Sequence, residues 1–188
     1  AIADDQSYPH AGVYGFSEIN TPGFDYVANS GVLFHNAFVA APQCSPSRAA
    51  ILTGKNIWEL EEAGTHGSAF PNKFKVFTEE LENNGYFVGF TGKPWGPGNW
   101  QISGRKQNPV GTAYNKHVLS QSPTKGIRPN NYIENFKDFF SKKEKGAPFM
   151  FWFGAHEPHR VYEYGTGVKA GKDIDAVRVP AFLPDTEI

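Results

Sequence analysis

An α/β fold, with a mainly parallel sheet sandwiched between helices, is predicted by three observations along this chain. Helical and strand-like segments alternate. The best strand candidate, Phe149 to Phe153, is a continuous apolar run of the kind that a sheet covered on both faces requires. Residues able to carry chemistry recur just after the strand-like runs, where ligands gather in such sheets. The 188 residues, 39% hydrophobic and 15% aromatic, suffice for a sizeable core and read as one domain, 1–188.

The elements follow in order. Ala1-Ile2-Ala3 is a short apolar stub that reads as the end of a strand, so a processed or trimmed N-terminus is expected. Thr21-Pro22, then Phe24, Val27 and Ala28, then Gly31, supply an N-cap, a first-turn proline, a short helical face and a terminating glycine. Val32 to Val39 is rich in β-branched and aromatic residues and fits a strand leading through Pro42 into a second helix. In that helix Ser45 can cap, Pro46 suits the first turn and Gly54 can close the end. Thr78 to Asn84 reads as a capped helix ended by Gly85, with a strand at Tyr86 to Thr91. Pro94 to Pro129 turns to Gly, Pro, Asn, Ser and Lys without periodicity, which predicts a long and mostly irregular surface excursion. Tyr132, Ile133, Phe136, Phe139 and Phe140 form one apolar helical face ahead of the Phe149 to Phe153 strand, and the tail after Gly154 is irregular through Pro184.

Composition narrows the partners. A formal net charge of -1, with Lys142 to Lys145 as the longest charge cluster, gives no electrostatic footprint for nucleic acid. One cysteine excludes an intramolecular disulfide, and no apolar run approaches the roughly 18 residues of a membrane span.

Four segments carry chemistry. Asp4 and Asp5, adjacent acids at a strand's carboxyl end, suit a hard cation, although an isolated Asp-Asp is more often a solvated turn. Cys44 lies where helical N–H groups converge, a place that attracts anions, although a lone cysteine is usually a small buried thiol. Gly92-Lys93-Pro94-Trp95-Gly96-Pro97-Gly98 follows the Tyr86 to Thr91 strand and reads as a turn on composition. His156-Glu157-Pro158-His159-Arg160 follows the Phe149 to Phe153 strand; its two histidines lack the further soft or imidazole ligands of a zinc site.

Cys44-Ser45-Pro46-Ser47-Arg48, followed by Leu52-Thr53-Gly54, closely resembles the signature of type I sulfatases, C-x-P-S-R then L-T-G. The opening Asp4-Asp5 resembles the family's calcium-ligating pair, and Gly92-Lys93 its G-K-x-H run, with Trp95 in the place of that histidine. His156 to Arg160 and Val177 to Asp185 resemble segments of the heparan N-sulfatase relatives. The resemblance implies an alkaline-phosphatase-like sandwich, truncated, of which this chain is the N-terminal part. It implies that Cys44 is oxidised by a formylglycine-generating maturation enzyme to an aldehyde whose hydrate is the nucleophile. Calcium on Asp4, Asp5 and the modified Cys44, with Arg48 and Lys93 on the sulfuryl oxygens and His156 protonating the leaving group, would complete the catalytic set. His66 and His159 are candidates for substrate contact.

On this reading the intact protein is a calcium-dependent hydrolase of sulfate esters or sulfamates on a glycan, with N-sulfoglucosamine units the first candidate. The fragment alone is expected to be inactive and to bind calcium weakly. The family implies a periplasmic, secreted or lysosomal location. Two alternatives remain: a non-catalytic glycan-binding or pseudoenzyme fragment, and a formylglycine-dependent phosphodiesterase or phosphonate hydrolase.

Overall fold

The computed structural model describes residues 1–186. Phe87–Gly92 (β1), Thr112–Ala113 (β2) and Phe149–Gly154 (β3) form a parallel sheet in the order β2-β1-β3. β1 and β3 run in register from Phe87 opposite Phe149 to Gly92 opposite Gly154, so both strands end at the same level. The N-terminal stub lies beside that end: the Ile2 N–H donates to the Phe153 carbonyl at 2.8 Å, and the Ala155 N–H donates to the Ile2 carbonyl at 3.0 Å. These pairings set Asp4, Lys93 and His156 just beyond one edge of the sheet, as the parallel topology predicts.

Helices cover both faces, and the period of two along each strand decides which side chain meets which helix. Phe90 and Trp152 join a core with Ala49 and Leu52 of Cys44–Thr53 (α2), together with Leu60, Phe70, Val76 and Trp95. Phe87, Phe149 and Phe151 point the other way, onto Phe139 of Tyr132–Lys142 (α3), with ring centroids 4.8, 5.9 and 4.6 Å from it. Full burial of the Phe139 ring stabilises the fold by about 1.5–3 kcal/mol.

α3 begins with Asn131, whose side chain accepts from the Glu134 N–H at 3.1 Å. Only part of its predicted apolar face is covered: Phe139 is fully buried, whereas Ile133 is 69% exposed. α2 ends as expected on Gly54, at φ 67°, where the left-handed conformation suits glycine. Its start differs from expectation. The N-cap is Gln43, and Ser45, inside the first turn, accepts a hydrogen bond from the Gly67 N–H at 3.2 Å instead of capping. The helix before β1 runs Phe77–Asn83, and its predicted cap, Thr78, lies inside it; the buried Thr78 hydroxyl donates to the Pro109 carbonyl at 2.5 Å. The Pro94 to Pro129 excursion is irregular apart from one turn of helix and β2, which adds the sheet's third strand.

The predicted strand at Val32 to Val39 does not form. That segment is irregular and has no ladder partner among the described residues, and Phe38 is 91% exposed. β-branched and aromatic composition favours a pleated surface only where a neighbouring strand accepts its hydrogen bonds.

The chain packs as two compact units: residues 1–6 with 38–161, and residues 7–37 with those from Tyr162 onward. In the second unit Thr21 precedes the predicted helix Pro22–Ser30, but its hydroxyl donates to Asp25 at 3.0 Å and accepts from the Gly12 N–H. Tyr14 packs on Tyr8, Phe24 and His35. Arg178 pairs with Glu18 at 2.8 Å and, with its hydrogen bond, draws that carboxyl below its ordinary range. The tail is irregular except for one short helix, Thr166–Lys169.

Candidate active site

The ends of β1 and β3, the N-terminus of α2 and the segments that follow them surround one cavity of about 420 Å³ within the first unit. Asp4, Cys44, His66, Lys93, His156 and His159 line it, so six of the sequence-predicted residues converge there.

Cys44 is the first residue of α2, and the first N–H groups of a helix have no intrahelical acceptor. The partly buried thiol therefore faces the cavity where backbone N–H groups favour an anion. His66 Nε2 lies 3.4 Å from Cys44 Sγ. The Gly67-to-Ser45 hydrogen bond docks the His66 turn on α2 and so fixes that approach.

Asp4 is buried, and its carboxylate is held by two cations: Arg48 at 3.3 Å and Lys93 through an ion pair with the other oxygen. Arg48 also donates to the carbonyls of Lys93 and Pro94, at 2.8 and 3.1 Å, and lies 6.0 Å from the Trp152 ring. Burial weighs against its charge and the Asp4 carboxylate supports it. Arg48 thus lies behind the cavity wall and not in it, joining α2, β1 and the N-terminal stub at one point.

Asp5 takes a left-handed φ of 64° and turns its carboxylate to His159, 3.5 Å from Nε2. Asp4 and Asp5 are oxygen donors of the kind a hard cation takes. Among the described residues no group of three or more His, Cys, Asp or Glu side chains is arranged to hold a metal.

A network that sequence reasoning did not find orders the far wall. The His156 N–H donates to the Tyr132 hydroxyl at 3.1 Å, which donates to Glu157 Oε2 at 2.9 Å. Glu157 Oε1 accepts from the Arg128 N–H at 3.1 Å, and the Glu157 carbonyl accepts from the Asp4 N–H at 3.1 Å. Burial and the neighbouring Glu157 push the Tyr132 phenol up to about 12, so it stays protonated and can donate. Burial, with Arg128 nearby, holds the His156 imidazole below its ordinary value. Tyr132 was legible only as a member of an apolar helix face, and nothing in the spacing of Arg128, Tyr132 and Glu157 announces their meeting.

Trp95 is absent from the cavity. It is 2% exposed, packs edge-on against Phe70 with centroids 5.1 Å apart, and has no hydrogen-bond partner for its indole nitrogen among the described residues. It belongs to the core and leaves the cavity rim to Gly96 and Pro97.

Comparison with known proteins gives a consistent result. The family model described as Sulfatase matches residues 2–174. The chain is 30% identical over 174 residues to an N-acetylglucosamine-6-O-sulfatase of Bacteroides thetaiotaomicron, covering 85% of this chain and 30% of that protein. It is 29% identical over 174 residues to the N-sulphoglucosamine sulphohydrolase of Homo sapiens, covering 88% and 33%. The chain thus spans about a third of the length of these relatives. Among solved structures, BT4656 in complex with its substrate D-glucosamine-2-N,6-O-disulfate superposes with a TM-score of 0.62 at 24% identity, covering 86% of this chain and 34% of that one.

Proposed function

The chain belongs to the sulfatase family, and from that premise we propose that it is the Cys44-bearing part of an enzyme that hydrolyses sulfate esters or sulfamates of a glycan. The observation that carries the proposal is the meeting of Cys44, Lys93 and His156 around one cavity at the ends of two parallel strands. When Cys44 is matured to formylglycine and calcium is bound, those groups would supply the nucleophilic oxygen and a Lewis acid on the sulfuryl oxygens.

The chain's own residues have separate tasks. The α2 N–H groups and the Lys93 ammonium offer charge-assisted hydrogen bonds to an oxyanion. His66, 3.4 Å from the Cys44 sulfur, can hold or receive a proton on the attacking side. Burial disfavours the charged form of His156 in the free protein, and the negative charge of a bound sulfate ester or sulfamate would favour its protonated form, ready to donate to the leaving oxygen or nitrogen. Arg48 orients Asp4 and the Lys93 carbonyl, as a positioning residue. Asp4 and Asp5 would contribute part of a calcium shell, with the other ligands supplied by the longer protein to which the chain would belong.

The two relatives named above are a 6-O-sulfatase and an N-sulfatase, and His156 to Arg160 with Val177 to Asp185 favours the N-sulfated amino sugar as substrate. Maturation of Cys44 by a formylglycine-generating enzyme and a periplasmic, secreted or lysosomal location accompany this reading. No helix among the described residues is long and apolar enough to cross a membrane. The test is sulfate release by the full-length, co-matured protein from N-, 6-O- and 2-O-sulfated glucosamine-containing saccharides. Release from the N-sulfated sugar is expected. Release confined to O-sulfated sugars overturns the choice of linkage, and hydrolysis of phosphodiesters alone overturns the sulfatase reading.

A further inference from the structure

The cavity holds more positive charge than one sulfuryl group explains. Asp4, the one carboxylate among the residues that line it, is already matched by Arg48 and Lys93, and Glu157 in the wall behind is taken by the Tyr132 hydroxyl and the Arg128 N–H. Two further arginines, Arg128 and Arg160, are among the residues that line the same cavity, and neither side chain has an ion pair or a hydrogen bond among the described residues. Like charges facing one cavity repel, and an anion between them relieves that repulsion.

The backbone holds the two arginines on adjoining walls. A Cβ on Gly126 would lie 2.4 Å from the Val161 carbonyl oxygen, so the segment bearing Arg128 passes directly against the residue after Arg160. The Arg128 N–H is anchored on Glu157, and the Arg160 carbonyl is 2.7 Å from His159 Nδ1. Both side chains remain exposed while their backbones are fixed, an arrangement suited to meeting a ligand. Lys93 and His156 lie with Cys44 around the cavity, so the sulfuryl group to be cleaved has its own partners.

We propose that Arg128 and Arg160 form a second anionic subsite, binding a sulfate or carboxylate that the substrate carries in addition to the sulfuryl group that is cleaved. This rests on the sulfatase reading above. Bidentate guanidinium recognition suits both groups, and a substrate with two anions gains contacts that a monosulfated sugar cannot make.

The test uses the matured full-length protein and four probes: glucosamine 2-N-sulfate, glucosamine 2-N,6-O-disulfate, N-sulfated glucosamine linked to a hexuronic acid, and the carboxyl-reduced form of the last. The quantity read is kcat/KM for sulfate release. The doubly anionic sugars should exceed their singly anionic counterparts by about tenfold or more, the scale of a charge-assisted hydrogen bond. Arg128→Gln with Arg160→Gln should lower kcat/KM for the preferred doubly anionic sugar about tenfold more than for glucosamine 2-N-sulfate, mainly through KM. Arg128→Lys with Arg160→Lys should recover part of the difference. Preference for the disulfate identifies the second group as a sulfate, and preference for the uronate identifies a carboxylate. Turnover with no preference, or equal losses on all probes in the Gln variant, overturns the subsite alone. No sulfate release from any sulfated sugar overturns the sulfatase reading and the subsite with it.

Discussion

Tyr132 supports two walls of the cavity with one hydroxyl, accepting from the His156 N–H and donating to Glu157. Tyr132→Phe removes the acceptor of a backbone N–H and frees one carboxylate oxygen; it should destabilise the chain by about 1–3 kcal/mol in urea denaturation, the cost of an unsatisfied buried partner. An unchanged midpoint and slope would show that His156 and Glu157 do not depend on it. A second residue tests the electrostatics away from the cavity. Burial, with the nearby Glu79 charge, raises the Glu82 carboxyl above its ordinary 4.5, despite a 2.8 Å hydrogen bond from Gln107. A raised folded-state value means that stability present below the unfolded value is lost as pH rises through the folded one. Glu82→Gln, which keeps the neutral form, should therefore be more stable than the parent at pH 7 and lose that advantage below about pH 4. A stability difference independent of pH would contradict the assignment.

The elements meet most tightly at the ends of β1 and β3. A Cβ on Gly92 would sit 2.0 Å from the Gly154 carbonyl oxygen, and Gly92 has φ 76°, so two separate constraints require glycine there. Gly92→Ala should separate the two strands at the level of Lys93 and cost more than about 1 kcal/mol, with a lowered thermal midpoint as the readout. Arg48 ties the same level to α2. Arg48→Ala leaves the buried Asp4 without one of its two cations and should cost about 3–5 kcal/mol, the penalty of breaking a buried pair. Arg48→Lys should recover only part, because an ammonium cannot reproduce the fork that reaches Asp4 and the carbonyls of Lys93 and Pro94 together. Full recovery by lysine would reduce Arg48 to a point charge. Both long strands were legible within a residue, and α3 as the helix carrying the Tyr132 to Phe140 face, because continuous apolar runs and a 3.6-residue stripe have few other interpretations. The segment Val32 to Val39 was misread because strand composition does not reveal whether a neighbour exists to pair with it. β2 was hidden for the converse reason: two exposed residues inside a Gly- and Pro-rich loop become a strand only through β1.

At the scale of the whole molecule, the residues singled out by motif lie far apart along the chain and gather at one sheet edge because parallel strands deliver their carboxyl ends to the same side. That much of the site was legible: Cys44, Lys93 and His156 each follow or flank a recognisable element. The Arg128–Glu157–Tyr132 wall was not, because it is built by hydrogen bonds from an irregular excursion with no periodicity. Trp95 was misplaced for a related reason, since its position in a motif gave no sign that Phe70 would draw it into the core. The chain spans about a third of the relatives it matches, and its two carboxylates at the N-terminal stub cannot complete a calcium shell alone. Calorimetry on residues 1–188 should therefore give weak calcium binding, and tight binding would require ligands that the cavity does not offer. Whether the cavity is built around a modified Cys44 is read from the mass of the Cys44 peptide from full-length protein produced with a formylglycine-generating enzyme. The aldehyde is expected in place of the thiol, and its loss is expected when Arg48 or Pro46 is replaced by alanine in an otherwise folded protein. An unmodified thiol throughout, under conditions that mature a control sulfatase, would contradict it.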